Sequence, residues 1–326
     1  MQAYVMRADG NQSVVDLVEK EVPEPGEAQV LIRVRAAALN RGEFIPGPGL
    51  HGQSATPKAL GIEGAGEVVK LGAGVTEVAI GARVMARFPA AFADYAIVDL
   101  RELIEVPDSL SWEEAASVPL TFMVVYDMLV SRGHLAAGEW VLVTGASSGV
   151  GVATLLTAKA LGAKVIGISG SAEKIARLKS IGLDVGLQSR ADFHAQVLAA
   201  TDGKGADLAI NAVGGSQFGE CLKSLAFQGR MAIVGYVDGV LKSEIDIEAV
   251  HAKRLNLFGV SNKHRSPVQR AEQVPGFRAD VLPHIAAGRI RPTVDRAFDF
   301  EHLAQAKAYM ESNQHLGKIV LRGRTF

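Results

Sequence analysis

Val141-Leu-Val-Thr-Gly-Ala-Ser-Ser-Gly-Val-Gly-Val152 decides the reading of this chain. An apolar run enters a Gly/Ser turn directly, and an amphipathic helical stretch follows at once. In that order Gly145 permits a tight turn, Gly149 permits close backbone approach to a pyrophosphate, and Gly151 lets the helix pack on the strand. The helix start offers N–H groups that its own ladder leaves unbonded, together with the positive end of its dipole. Gly145, Ser147, Ser148, Gly149, Val150 and Gly151 are therefore the candidate phosphate cradle. A glycine-rich string alone is weak evidence, because turns are commonly glycine-rich, and its surroundings must decide.

The surroundings alternate. Trp140–Thr144 reads as strand, Val150–Leu161 as helix, Lys164–Ile168 as strand and Ala172–Ser180 as helix. Asp207–Asn211, Arg230–Val234 and Leu255–Val260 continue as strands, with a helix over Gln217–Leu225. Strand–helix alternation with short links predicts an α/β fold with a doubly wound parallel sheet, and hence a bound dinucleotide. Two further glycine strings, Gly61-Ile-Glu-Gly-Ala-Gly66 and Gly72-Ala-Gly74, run into strand-like residues with no helix start, and both read as turns.

Upstream the texture differs. Val30–Arg35, Gly66–Lys70, Arg83–Ala86 and Tyr95–Val98 are short runs bounded by Gly, Pro or Asp, as in an antiparallel barrel-like module. Ser111-Trp-Glu-Glu114 has the pattern of a capping box that opens a helix, and a second helical run covers about Leu120 to Arg132. After Ser261 helical segments lead to a last strand, Lys318–Leu321. The expected domains are 1–115, 116–260 and 261–326, the middle one inserted into a domain made of the outer two.

Composition narrows the function classes. The chain has 326 residues, 48% of them hydrophobic and 21% charged, which is ordinary globular usage. A net charge of −1 gives no basic field to draw nucleic acid. One cysteine excludes a disulfide scaffold and any multi-cysteine zinc site, and fits a reducing compartment. No apolar run reaches the roughly 18 residues of a membrane span, and the N-terminus lacks a signal pattern. A cytoplasmic protein without membrane or nucleic-acid partners is the expectation.

Cofactor choice is read at the end of the second strand. NAD-specific sites place an acid there for the ribose 2′-hydroxyl. Here Ser169, Gly170 and Ser171 occupy it, followed by Lys174 and Arg177. Small hydroxyls with Lys174 suit a 2′-phosphate, and Arg190 after the third strand adds a second positive charge. NADPH is the expected cofactor. Further contacts are expected from Asn211 and Val213 after the fourth strand, Gly235 and Tyr236 after the fifth, and Gly259 and Val260 at the sixth.

The glycine loop also looks like that of short-chain dehydrogenases, but none of Tyr4, Tyr95, Tyr126, Tyr236 or Tyr309 has the lysine four residues on that those enzymes use. A different family fits nearly the whole length. Ala38-Leu-Asn-Arg-Gly-Glu43, Gly61-Ile-Glu-Gly-Ala-Gly-Glu-Val68, Gly81-Ala-Arg-Val84 and Phe92-Ala-Asp-Tyr-Ala96 match it in order. They are followed by Ala115–Leu120, the glycine loop, Gly229–Gly235 and Gly317–Leu321. In this order the stretches resemble the zinc-independent quinone oxidoreductases of the medium-chain dehydrogenase/reductase superfamily. The resemblance implies a GroES-like β-barrel catalytic domain split around a Rossmann domain, with the active site in the cleft between them.

Zinc enzymes of that superfamily bear Cys where Asn40 stands and His where Ile62 stands, and neither an amide nor an aliphatic side chain replaces those ligands. No metal is expected. The resemblance places Asn40 beside the nicotinamide and the substrate carbonyl, where its amide would donate a hydrogen bond. Glu43 reads as structural support. A tyrosine that many relatives carry nearby is replaced here by Phe44, Ile45 and Pro46. Val124 stands where relatives often have a nicotinamide-contacting Thr, with Thr121 as a substitute. Tyr236 is the remaining hydroxyl for the catalytic role, with wall packing as its other reading. Without zinc, hydride transfer suits acceptors that are already activated, namely a quinone or an α,β-unsaturated carbonyl. The alternatives are an alkenal or enoyl double-bond reductase, or a low-turnover NADPH-binding relative with a structural or RNA-binding role. Uncharged, proline-free Leu255–Val260 is expected at the sheet edge, pairing with its two-fold copy in a homodimer, as relatives often do.

Overall fold

Alternating apolar runs become six parallel strands: Trp140–Val143, Lys164–Ile168, Val185–Leu187, Ala206–Asn211, Leu225–Ile233 and Asn256–Gly259. The computed structural model describes residues 1–9, 12–44, 57–188 and 192–324. In space the strands run third, second, first, fourth, fifth, sixth, and every pairing is parallel. That order reverses between Trp140–Val143 and Ala206–Asn211, and the crevice at such a switch point is where doubly wound sheets take ligands. Leu142, Ile166, Ala209, Cys221, Leu222 and Met231 lie in the buried core beside it.

This sheet belongs to one compact unit, Thr121–His264. The second unit joins the chain ends, Met1–Leu120 with Arg265–Phe326. Its hub is the strand Gln29–Ala38, which pairs antiparallel with Glu63–Leu71, Tyr95–Asp99 and Lys318–Arg322. Tyr4, Ile32, Leu60, Val84, Phe92 and Ile319 fill its core. Two pairings had no distinct sequence signal. Gln2–Asp9 forms a hairpin with Gln12–Glu19, and Val294–Phe298 lies parallel to Lys318–Arg322.

The capping box forms as the spacing predicts. Ser111 Oγ accepts from Glu114 N–H at 3.1 Å, and Glu114 Oε2 accepts from Ser111 N–H at 2.9 Å. The short helix it opens, Trp112–Ala116, packs on the hub strand and on Glu63–Leu71. That packing keeps the residues up to Leu120 with the barrel, so the unit boundaries fall at 120/121 and 264/265, against 115/116 and 260/261 read from sequence. The next helical run holds α-geometry only over Pro119–Tyr126. It widens to a π-turn at Asp127–Ser131, where Arg132 N–H bonds Asp127 O.

The glycine string 61–66 is only partly a turn. Gly61 has φ +88°, but Gly64 and Gly66 lie inside the strand Glu63–Leu71. A Cβ on Gly64 would sit 2.8 Å from Ala36 O, and one on Gly66 would sit 2.2 Å from Arg33 O. These glycines admit the backbone of the hub strand.

Candidate functional site

Gly145 leaves the first strand with φ +62°, the left-handed region that glycine enters without a Cβ clash. Ser148, extended at φ −71° and ψ 167°, caps the helix Gly149–Ala160, and its Oγ accepts from Gly151 N–H at 3.1 Å. Gly149 and Val150 thus form the first helical positions, whose N–H groups the helix ladder does not use. A Cβ on Gly151 would meet Gly145 O at 2.5 Å and the Ala146 backbone at 2.6 Å. The turn therefore lies directly on the helix start, and any side chain at 151 would push it off. Gly145, Ser147, Ser148, Gly149 and Val150 are all half-buried at this corner, with Gly151 buried beneath them. These positions fit a pyrophosphate cradle.

At the second strand end, Ser169 is buried and its Oγ accepts from Ser171 N–H at 3.4 Å. Ser171 caps the helix Ala172–Ser180 by accepting from Lys174 N–H at 3.3 Å. Both hydroxyls keep an O–H to donate. Gly170 is exposed and Lys174 half-buried beside them. An exposed acid, Glu173, stands on the first turn of that helix, between the serines and the Lys174 that the sequence reading weighed. Arg190 lies outside the described residues.

The Asn211 side chain, expected at the cofactor, bonds within its own loop. It is 1% exposed. Its Oδ1 accepts from Val213 and Gly214 N–H at 3.1 and 3.0 Å, and its Nδ2 donates to Gly214 O at 3.0 Å. It braces the loop that puts half-buried Val213 3.5 Å from where a Gly145 Cβ would be. Thr144 Oγ1, also buried, accepts from Ala212 N–H at 3.1 Å and ties the first strand to that loop. Gly235 is half-buried, and Tyr236 is 53% exposed on the turn after the fifth strand. Gly259 is exposed at the sheet edge, and Val260 is buried with its N–H on Ile233 O at 3.2 Å. Thr121 is buried and Val124 half-buried.

The Asn40 amide, expected to offer a hydrogen bond to substrate, is bonded within the protein. Its Nδ2 donates to Glu43 Oε1 and to Glu63 Oε1, both at 3.0 Å. Its Oδ1 accepts from Lys318 Nζ at 2.8 Å. Lys318 Nζ also donates to Glu63 Oε1 at 2.8 Å and to Leu39 O at 3.1 Å. Gly61 N–H and Leu120 N–H complete the carboxylates, on Glu43 Oε2 at 2.9 Å and Glu63 Oε2 at 2.8 Å. Two amide protons already go to oxygens of Glu43 and Glu63, so the amide has no donor left for a ligand. Glu43 and Glu63 are fully buried, Lys318 is nearly so, and Asn40 is half-buried. Burial pushes the Glu43 carboxyl up to about 8, and the Glu63 charge adds to this. The donors Asn40 and Gly61 and the Lys318 charge pull the other way.

Sequence reading found Glu43 as support but missed Glu63 and Lys318. The only available signal was a charge set among glycines in Gly61–Gly66 and another at the head of an apolar strand. Charged residues are seldom buried unless paired, and pairing across this sequence distance is invisible in one dimension. Among the described residues no group of three or more His, Cys, Asp or Glu could hold a metal ion. The lone Cys221 is buried, and burial drives its thiol far above its ordinary range, keeping it protonated.

Comparison with known proteins places this geometry. The alcohol dehydrogenase GroES-like domain matches residues 26–108, and the zinc-binding dehydrogenase family matches residues 149–274. Acryloyl-coenzyme A reductase of Metallosphaera sedula is 29% identical, over 98% of this chain and 99% of its own. The mycobacterial protein Rv1454c, solved in complex with NADPH, is 27% identical with a TM-score of 0.88, covering 99% of this chain and 100% of that one. A quinone oxidoreductase structure from Pseudomonas syringae is 26% identical with a TM-score of 0.82, over the same shares. Polyketide synthase GfsB of Streptomyces halstedii is 32% identical over 90% of this chain, which spans only 5% of that much longer protein. Both matched domains are those of the medium-chain dehydrogenase/reductase superfamily, and the chain is similar to its quinone oxidoreductases and enoyl-type reductases.

The Glu43 shift fixes the sign of a pH effect. A carboxyl raised from the ordinary 4.5 to about 8 contributes stability that is full below 4.5 and is lost as pH rises to about 8. Urea unfolding of the native protein and of Glu43→Gln across that window should show the native protein losing stability relative to the variant by roughly 1.4 kcal/mol per pH unit. A constant difference between the two would place Glu43 in an ordinary carboxylate environment.

Proposed function

We propose that this protein is an NADPH-dependent reductase whose acceptor is a quinone or an α,β-unsaturated carbonyl. The observation that carries the acceptor class is the closed cluster at Asn40. The Asn40 amide and the Lys318 ammonium are both bonded to protein oxygens. Neither supplies an electrophilic pull on a substrate carbonyl, which favours an acceptor activated by its own conjugation. NADPH, when bound, supplies the hydride. The N–H groups of Gly149 and Val150 bind its pyrophosphate, and Ser171 with Lys174 takes the 2′-phosphate. Likeness to an acryloyl-coenzyme A reductase over the whole of both chains supports the conjugated-alkene branch, and likeness to a quinone oxidoreductase supports the other. A screen of NADPH oxidation against quinones, enals and enones tests the reading. No turnover with any of them would leave an NADPH-binding protein of another role.

Cofactor preference has its own measurement. NADPH should bind more tightly than NADH by calorimetry, and Lys174→Ala should remove part of the difference. The loss of one charge-assisted contact is worth about 1.5–3 kcal/mol. Equal or tighter NADH binding by the native protein would reject the assignment of Ser169–Lys174.

We also propose a homodimer through the sixth strand. Among the described residues, Asn256–Gly259 pairs on one side only, with Leu225–Ile233. The basis differs from the sequence expectation, because Phe258 and Val260 are already buried within the unit and Leu257 is half-buried. Arg132 also lies over Phe258 and donates to Gly259 O. Exposed apolar residues lie instead in the segment leading to the edge strand, among them Val237, Val240, Leu241, Ile245 and Ile247. Leu241→Lys, at a side chain 71% exposed, should lower the mass seen by light scattering from that of two chains to 34.4 kDa without loss of stability. A native protein that scatters as 34.4 kDa at micromolar concentration ends the proposal.

A further inference from the structure

The Lys318 ammonium has three N–H donors, and three oxygens meet them: Asn40 Oδ1 and Glu63 Oε1 at 2.8 Å and Leu39 O at 3.1 Å. Its side chain is 7% exposed and that of Glu63 is 0%, so water does not screen the pair. The contact joins two paired strands. Val320 faces Ala38 across the sheet, and Leu39 N–H bonds Ile319 O at 2.9 Å. The turn Arg41–Phe44 follows directly, with Phe44 buried in the barrel core. From Lys318 the bonding runs through Asn40 to Glu43, inside that turn, and on to the Gly61 amide. Asn40 is the half-buried member of the four. The cluster thus ends at the surface on one side and in fully buried charge on the other.

We propose that Lys318 is a positioning residue, a tethered cation that holds the turn Arg41–Phe44 in place through Asn40 and Glu63. Its activity consequence rests on the reductase reading above, while its structural consequence stands independently. The cluster needs positive charge at position 318. With a neutral side chain, the Glu63 carboxylate stays buried with its Oε1 held by the Asn40 amide alone, and Asn40 Oδ1 and Leu39 O lose a donor. Removing one member of a buried ion pair is far more disruptive than removing both. A free small cation of the same head-group chemistry should fit the space that a truncated side chain vacates, but not the space that an apolar stem still fills.

Lys318→Ala, Lys318→Met and the double variant Lys318→Met with Glu63→Gln test this by hydrogen exchange, with NADPH oxidation as the second readout. In both single variants the Gly61 and Leu120 amides should exchange about 10²- to 10³-fold faster, while the Thr144 and Ala146 amides of the cofactor loop keep native rates. Methylammonium should restore protection in Lys318→Ala and leave Lys318→Met unchanged. The double variant should regain part of the protection, because no buried charge then lacks a partner. With an acceptor that the native protein reduces, kcat should fall in the single variants while KM for NADPH stays native. Native exchange in Lys318→Met, or no rescue of Lys318→Ala by methylammonium, overturns the proposal. So does an unchanged kcat in variants whose Gly61 amide has lost protection. If a single variant fails to fold, the double variant decides: folding supports the charge pairing and misfolding refutes it. A native protein that reduces no acceptor defeats the reductase reading alone, since the exchange results still place the cation.

Discussion

A buried ammonium facing a buried carboxylate holds together a barrel built from the two ends of the chain. Lys318 belongs to the last strand, and Glu63 and Asn40 to the first segments, with the whole unit Thr121–His264 between them in sequence. Closing a domain across such an insertion costs chain entropy, and each contact that spans it has to offset that cost. Backbone pairing of Lys318–Arg322 with Gln29–Ala38 supplies part of the closure. The ion pair adds specificity that apolar packing lacks. Three oxygens meet three N–H donors in one register, and a slip by one residue would turn Lys318 out of the cage and leave Glu63 alone in the core.

The unit that carries the glycine loop obeys a different constraint, set by backbone and not by charge. Gly145 is needed for its left-handed φ of +62°, and Gly151 because the turn lies on the helix start with no room for a Cβ. Thr144 and Asn211 fix the neighbouring loop through hydrogen bonds to main-chain groups. Such a cradle is preorganised. The first N–H groups of the helix Gly149–Ala160 are left unused by its own ladder, the arrangement that suits an anion. Ser169–Lys174 lies on a separate strand end, so variation there leaves the backbone of the glycine loop undisturbed.

The same amide group shows why a position matched by resemblance is not yet a role. At position 40 the matching zinc relatives have a metal ligand, and an asparagine there reads naturally as a donor to substrate. The structure gives its two protons to Glu43 and Glu63 and its oxygen to Lys318. Asn211, expected as a cofactor contact, likewise has its side chain buried and bonded to the loop beside it. In both cases a polar side chain in a matching motif satisfies the protein's own buried groups, because burial makes any unpaired partner costly.

By itself the sequence determined the local and periodic features. The strand–loop–helix of Val141–Val152, the alternation that yields a parallel sheet and the Ser111–Glu114 cap are all written in neighbouring residues. They follow from spacing, propensity and side-chain chemistry over a few positions. Tertiary structure alone decided the rest. It put Gly64 and Gly66 in a strand where the hub backbone leaves no space, paired Val294–Phe298 with the last strand, and buried Phe258 and Val260 within one unit. It also converted Asn40 from a group facing outward into the link between Lys318 and Glu43. Those outcomes depend on which distant segments meet, and on the cost of leaving a buried charge unpaired, a cost that exists only once folding has removed the water.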